Sequence, residues 1–450
     1  MNFTSPAFVF GFPLVLAVHW AMPARWRWAW LLAASVMFYA VGSRSALPLL
    51  VAVTLGTYIS ARGIEAAQSR RAKRLWCALA VALCMGSLAV FKYAGLLGFK
   101  KASLLPAGIS FYTFQTLAYV LDVARGRQRA ERHLGLYALF VCFFPQLVAG
   151  PIERSGDLLP QLKSETRTLD VQGVLVLLRG FAKKLLLADA VAPFVDAVYA
   201  APGAAGGPRA VLATALFAAQ IYFDFSGYSD IARGAAALLG VRLRENFDRP
   251  YAAKTPREFW RRWHMSLNAW LTDYLYIPLG GSRRGLARQC VNLLLVFALS
   301  GLWHGAAGHY VVWGIFHGLV CVGQLLVERR AKRALPLWAS HGLTLAAVGL
   351  GWVFFRAESV SAAADLLASA ATGWSIASVG AALAALGGDT ALRLALGSVC
   401  VRLLPVPLAQ PCDERRKAYP LAVLLLAVAV GSAWLASLDG AASAFLYFQF

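Results

Sequence analysis

The strongest constraint on this chain is the repeated length of its apolar runs. Stretches of roughly 17–25 apolar residues, the span a bilayer core demands, recur along most of the sequence. Candidate segments lie at about 7–22, 26–42, 45–61, 75–91, 104–124, 134–150, 174–200, 209–240, 289–304, 310–327, 338–356, 391–404 and 419–437, with 209–240 open to a break at Gly227. Backbone polar groups in lipid must be satisfied within the segment, so such runs fold as helices. The expected fold class is an all-α polytopic membrane protein. Composition agrees: of 450 residues, 59% are hydrophobic and only 14% charged, against about 25% charged in soluble domains. No polar stretch is long enough for a separate soluble domain, so residues 1–450 read as one transmembrane domain. Before the first apolar run, Met1–Pro6 has no basic region and no small-residue cleavage site stands out, so that run is expected to be retained.

The net charge is +21. The basic residues sit in short loops between apolar runs, which is the pattern of cytoplasmic loops facing anionic lipid rather than of a nucleic-acid binder. The most basic loops are Arg62–Arg74, Arg125–Arg132, Arg242–Arg262, Arg283–Arg288, Arg329–Arg333 and Arg415–Lys417. Placing them in the cytoplasm puts the N-terminus, three crossings earlier, on the outer side of the membrane. The tail after about Ser437 falls on that side too. Mixed charge leaves the crossings of 150–240 unassigned. Seven scattered cysteines with no CxxC pair read as small buried hydrophobes.

His304 is the anomaly in this pattern. It ends an apolar run, in Ser300-Gly301-Leu302-Trp303-His304-Gly305-Ala306. An ionisable side chain at membrane depth is costly and marks a functional site by default. It lies 16 residues after Arg288, roughly 24 Å along a helix and so past the midplane. Arg329 and Arg330 return the chain inside, so 289–327 reads as a helical hairpin turning outside near Gly305–Gly308. An imidazole in a cavity there suits general-base work. His317 reads as structural, His309 as a cap of the outer turn, and His19, His133 and His341 carry no signal.

The stretch 255–274 reads as an in-plane amphipathic helix. Thr255 is its N-cap, Pro256 its first residue and Glu258 the partner in a capping box. At about 100° per residue, Trp260, Trp263, Leu267, Trp270, Leu271 and Tyr274 share one face. Arg261, Arg262, Asn268, Thr272 and Asp273 take the other, with His264 at the edge. His264 reads three ways: a second catalytic group, a gate, or an interfacial histidine. In Tyr222–Asp230 two aspartates, Asp224 and Asp230, fall inside an apolar region, as in a broken helix lining a cavity. No HExxH, no carboxylate pair near a histidine and no Gly-x-Ser-x-Gly elbow occurs, so no metal site is expected. The ending Phe445-Leu446-Tyr447-Phe448-Gln449-Phe450 is either an interfacial aromatic tail or a segment that folds back and offers the Tyr447 hydroxyl for covalent relay.

Arg261–Leu267, Trp270–Gly281 and Gly301–Ala306 together resemble the membrane-bound O-acyltransferases, in particular the bacterial branch holding the alginate O-acetyltransferase membrane subunit. Asp224–Asp230, Asn246–Tyr251, Pro106–Tyr112, Gly150–Arg154 and the aromatic ending extend the likeness from the first segment to the last, with the core motifs in about 104–330 and the tail at 445–450. The resemblance implies a helical bundle around a funnel with in-plane and re-entrant helices. It implies His304 as catalytic histidine, His264 as the second, and Tyr447 as acyl relay. Asp230, Ser300 and Trp303 would orient groups in the cavity. No bound cofactor is implied; the donor is a cytoplasmic thioester, acyl-CoA (acetyl-CoA) or an acyl carrier protein. An SGNH-type periplasmic partner would then acetylate a polysaccharide such as alginate. Two other readings stand beside this one: a glycan-precursor transporter coupling through Asp224 and Asp230, for which no internal repeat is found, and a non-catalytic scaffold of an exopolysaccharide complex.

Overall fold

The computed structural model describes residues 3–96, 105–330, 335–403, 427–428, 430–431, 433–435 and 446. Among these the regular structure is helical, with no strand. The helices are α1 (Pro6–Ala21), α2 (Arg27–Ser43), α3 (Leu47–Ala66), α4 (Arg70–Phe91), α5 (Ile109–Ala124), α6 (Leu134–Cys142), α7 (Phe144–Leu147), α8 (Ser155–Lys163), α9 (Gly173–Ala182), α10 (Asp189–Ala200), α11 (Gly207–Leu238), α12 (Pro256–Arg262), α13 (Met265–Leu271), α14 (Leu286–His304), α15 (Gly308–Arg330), α16 (Leu337–Arg356), α17 (Val360–Ala370), α18 (Ile376–Ala384) and α19 (Gly387–Leu403). Six helical stretches are long and apolar enough to cross a bilayer, at 24–66, 70–91, 207–238, 286–304, 308–330 and 337–356. The bent pair formed by α18 and α19 raises that to as many as seven. The molecule is a multi-pass membrane protein.

The chain divides into two compact units, the first holding 1–178 and 228–244, the second 179–227 and 245–405 together with Leu446. In the first, α3 packs against α4 and α5, and α2 against α6. The expected span 134–150 is instead two short helices, α6 and α7, and every residue from Leu139 to Glu153 is buried. An apolar run of this length looks the same whether lipid or protein covers it. Gly108, at φ 72°, makes the tight entry into α5 and leaves room for the Leu147 carbonyl. Glu153 Oε1 accepts the Arg244 N–H at 2.7 Å, and burial pushes its carboxyl up to about 7.

The second unit carries α14 and α15 as a hairpin joined by 305–307, as expected. Its two helices approach backbone to backbone. A side chain at Gly301 would strike the Tyr310 carbonyl, and one at Gly314 the Phe297 carbonyl. A cluster of buried residues, among them Phe217, Trp263, Trp313, Trp352, Phe355 and Leu446, forms the core.

Four further expectations need correction. The helix α11 runs unbroken through Gly227; the glycine instead lets it pack closely on the turn at 180–184, where an added Cβ would sit 2.9 Å from the Gly180 carbonyl oxygen. The basic loop at Arg62 shrinks to 67–69, because α3 and α4 extend into it from both sides. His309 caps no turn; its Nδ1 lies 3.0 Å from the Phe354 carbonyl oxygen. The amphipathic helix at 255–274 breaks at Trp263 and His264, giving α12 and α13. Its start is as read, with Thr255 Oγ1 accepting the Glu258 N–H at 3.2 Å, although Glu258 reaches back to the Lys254 N–H.

Candidate active site

The break at His264 is what builds the site. Trp263 takes an extended backbone and turns inward, its ring 5.5 Å from Phe259 and 4.9 Å from Trp352. His264 then adopts φ 46°, ψ 55°, the left-handed region that a residue with a Cβ enters at a cost. Arg249, nearby in the polar turn before α12, shares that conformation. Such strain on a non-glycine residue is typical of functional positions. It swings the imidazole off the regular helical face and into the protein, where it is 3% exposed. Phe225 packs edge-on against it at 4.7 Å. Burial pushes the His264 pKa down to about 3, so the ring is neutral at physiological pH.

The helix α14 delivers the second histidine. Gln289, Leu293, Val296, Ser300 and His304 recur every three or four residues along it and line one face. His304 is the last residue of α14, 5% exposed, and its ring meets Trp303, Trp313 and Phe355 at 5.0, 5.2 and 5.3 Å. Ser300 lies one turn earlier and is also buried.

These pieces enclose a cavity of about 240 Å³. His264, Ser300 and His304 all line it, as do Arg257, Arg261, Asn268 and Cys321. The structure thus brings two histidines and a hydroxyl, from two separate segments, onto one space. Trp303 does not line it; its indole stands beside both imidazoles, 6.0 Å from His264 and 5.0 Å from His304. Asp230 belongs to the first unit, where it pairs with Arg233 at 3.6 Å, and is not among the lining residues. Tyr447 lies outside the described residues. Its neighbour Leu446 is described: it is buried, and its N–H donates to Asp224 Oδ2 at 2.9 Å.

Arg261, Asn268 and Thr272, which helical spacing already placed on one face, all line the cavity. One group escaped the sequence reading. Lys184 sits fully buried on the π-helical turn 183–188, its Nζ 2.7 Å from Asp224 Oδ1 and 2.9 Å from Asp189 Oδ1. A lysine inside the apolar run 174–200 was a legible signal, since intramembrane cations seek a partner. His317 packs among Trp260, Trp313 and Trp352, with Gly351 leaving space for its ring.

Comparison with known proteins places this arrangement. Residues 132–338 match the profile described as MBOAT, the membrane-bound O-acyltransferase family. The chain is 40% identical over 388 residues to the probable alginate O-acetylase of Azotobacter vinelandii, covering 81% of this chain and 76% of that protein. It is 33% identical over 419 residues to the peptidoglycan O-acetyltransferase of Helicobacter pylori, covering 81% and 79%. A shorter match, 26% identical over 263 residues, is to the teichoic acid D-alanyltransferase of Bacillus subtilis, covering 55% and 66%.

Proposed function

The chain belongs to the membrane-bound O-acyltransferase family and is an acyltransferase, and from that premise we propose that it carries an acetyl group from a thioester donor inside the cell to an exported polysaccharide, alginate being the first candidate. The observation behind this reading is the shared cavity, where His264 and His304 meet from separate segments beside Ser300.

In this reading His304 takes the proton from an acceptor hydroxyl. The oxygen attacks the thioester carbonyl carbon, the carbon–sulfur bond breaks, and the thiolate leaves with the proton that His304 held. An oxygen ester replaces the thioester. Ser300, one turn before His304, orients the acceptor. Neutral His264 offers a further hydrogen-bonding ring within the same cavity. Arg257 and Arg261, also on the cavity wall, suit the phosphate of a pantetheine arm, whether on acetyl-CoA or on an acyl carrier protein. The first acceptor is the Tyr447 hydroxyl at the outer side, and an SGNH-type partner in the periplasm moves the acetyl group onward to the glycan. Inner-membrane placement with both termini periplasmic follows from the basic loops being cytoplasmic.

The test uses the full-length protein in nanodiscs with acetyl-CoA. Unaltered protein should release CoA and gain an acetyl mass. His304→Ala should lose transfer by about 10²–10⁴-fold, the range for removing a general base, at normal expression. A well-folded His304→Ala protein with full activity would refute the proposal. An acetyl adduct undiminished in Tyr447→Phe would remove the relay alone.

A further inference from the structure

The Lys184–Asp224 pair has no part in the chemistry above, yet it is one of the most deeply buried charge pairs in the second unit. Lys184 and Asp224 side chains are 1% and 2% exposed. Burying both is expensive and is tolerated only when every lone pair and proton is used. Asp224 uses its two oxygens on different partners: Oδ1 accepts from Lys184 Nζ, and Oδ2 accepts the backbone N–H of Leu446, 222 residues later in the chain. Lys184 is steadied in turn by Asp189 Oδ1.

The geometry around this pair is built for close approach. Lys184 lies on a π-helical turn, and π turns redirect a side chain that an α-helix would aim elsewhere. Gly227, one turn after Asp224 on α11, lets that turn press against the helix; a Cβ there would sit 3.3 Å from the Lys184 backbone nitrogen and 3.1 Å from Lys183 Cβ. Leu446 itself is 6% exposed and packs in the cluster that contains Trp313 and Phe355, two of the rings around His304. Phe225, next to Asp224, covers the His264 ring.

We infer that Asp224, held by Lys184, is a positioning residue that docks the C-terminal tail onto the active-site core through the Leu446 amide. The role assigned to the docked tail rests on the reading that Tyr447 receives the acyl group; the docking itself does not. A backbone amide is sequence-independent, so the grip fixes the register of the chain at Leu446 and asks nothing of its side chain. Asp224 faces two donors. An asparagine offers one acceptor oxygen and sets an NH₂ against the other donor, while Lys184 keeps Asp189.

Hydrogen exchange of the full-length protein in nanodiscs, without donor, tests this. The peptide spanning residues 440–450 should be protected in the unaltered protein. Asp224→Asn should speed its exchange by about tenfold or more, the size of losing a charge-assisted hydrogen bond. Leu446→Pro deletes the donor and leaves the ion pair untouched, so it should release the tail equally while peptides from α14 and α15 keep their protection. Both variants should also lose acetyl transfer to Tyr447 by about tenfold or more. A tail that exchanges freely in the unaltered protein, or that is equally protected in Leu446→Pro, overturns the docking. If Tyr447→Phe transfers at the normal rate while Asp224→Asn and Leu446→Pro both free the tail, the relay fails and the docking stands. If Tyr447→Phe abolishes the adduct and Leu446→Pro leaves tail exchange unchanged, the docking fails and the relay stands.

Discussion

At the scale of single residues, His304 and His264 illustrate opposite routes into the same cavity. His304 is legible because an imidazole among leucines and small residues is costly. Its cavity-facing direction follows from helical spacing with Ser300. The orientation of His264 was not legible, because uninterrupted helical periodicity placed it at an edge, and only the left-handed backbone at φ 46° turns it inward. That conformation and the neutral ring yield a prediction about stability. The folded pKa of about 3 lies below the ordinary 6.5. On unfolding below pH ~6.5 the ring gains a proton, so the stability it contributes is complete above that pH and drains away as pH falls towards ~3. In that window stability should fall by up to about 1.4 kcal/mol per pH unit from this one group. Thermal unfolding in detergent between pH 4 and 7 should show a shallower acid slope for His264→Asn, since asparagine tolerates the left-handed backbone without a titrating ring. Identical slopes would mean His264 is not buried neutral.

Among the elements, the α14–α15 hairpin decides whether His304 is in place. Gly301 and Gly314 each face a backbone carbonyl of the other helix. Gly301→Val forces the helices apart and should cost about 1–3 kcal/mol, the usual range for overpacking. It should also reduce transfer more than stability alone explains, because Ser300 and His304 ride on the displaced segment. Gly323, on the same hairpin, has nothing within 4 Å of an added Cβ. Gly323→Ala should leave activity unchanged and hold or slightly raise the melting temperature. Equal effects of the two substitutions in paired melting and transfer assays would contradict this account of the hairpin. The glycines themselves were visible in sequence. What each glycine is for was not: Gly227 resembles a helix break on paper and turns out to be a contact point, because a missing Cβ serves both ends.

For the whole molecule, the basic loops and the hairpin predict a sidedness that labelling can check. In a cysteine-free background, an impermeant maleimide on intact spheroplasts should modify Ala307→Cys and spare Ser282→Cys, both at exposed positions. The reverse pattern would invert the proposed direction of transfer. The sequence by itself determined the membrane-spanning helical class, the hairpin at 289–327, the cap at Thr255 and the candidacy of His304, because apolar length, charge placement and local hydrogen bonding act over a few residues and leave their mark in order along the chain. Tertiary structure alone decided that 139–150 is a buried interior stretch, that α12 and α13 part at His264, and that Asp224 binds Lys184 and the Leu446 amide while Asp230 pairs with Arg233. Those outcomes depend on which groups, tens to hundreds of residues apart, arrive to cover a surface or satisfy a buried charge, and local sequence patterns carry no record of that arrival.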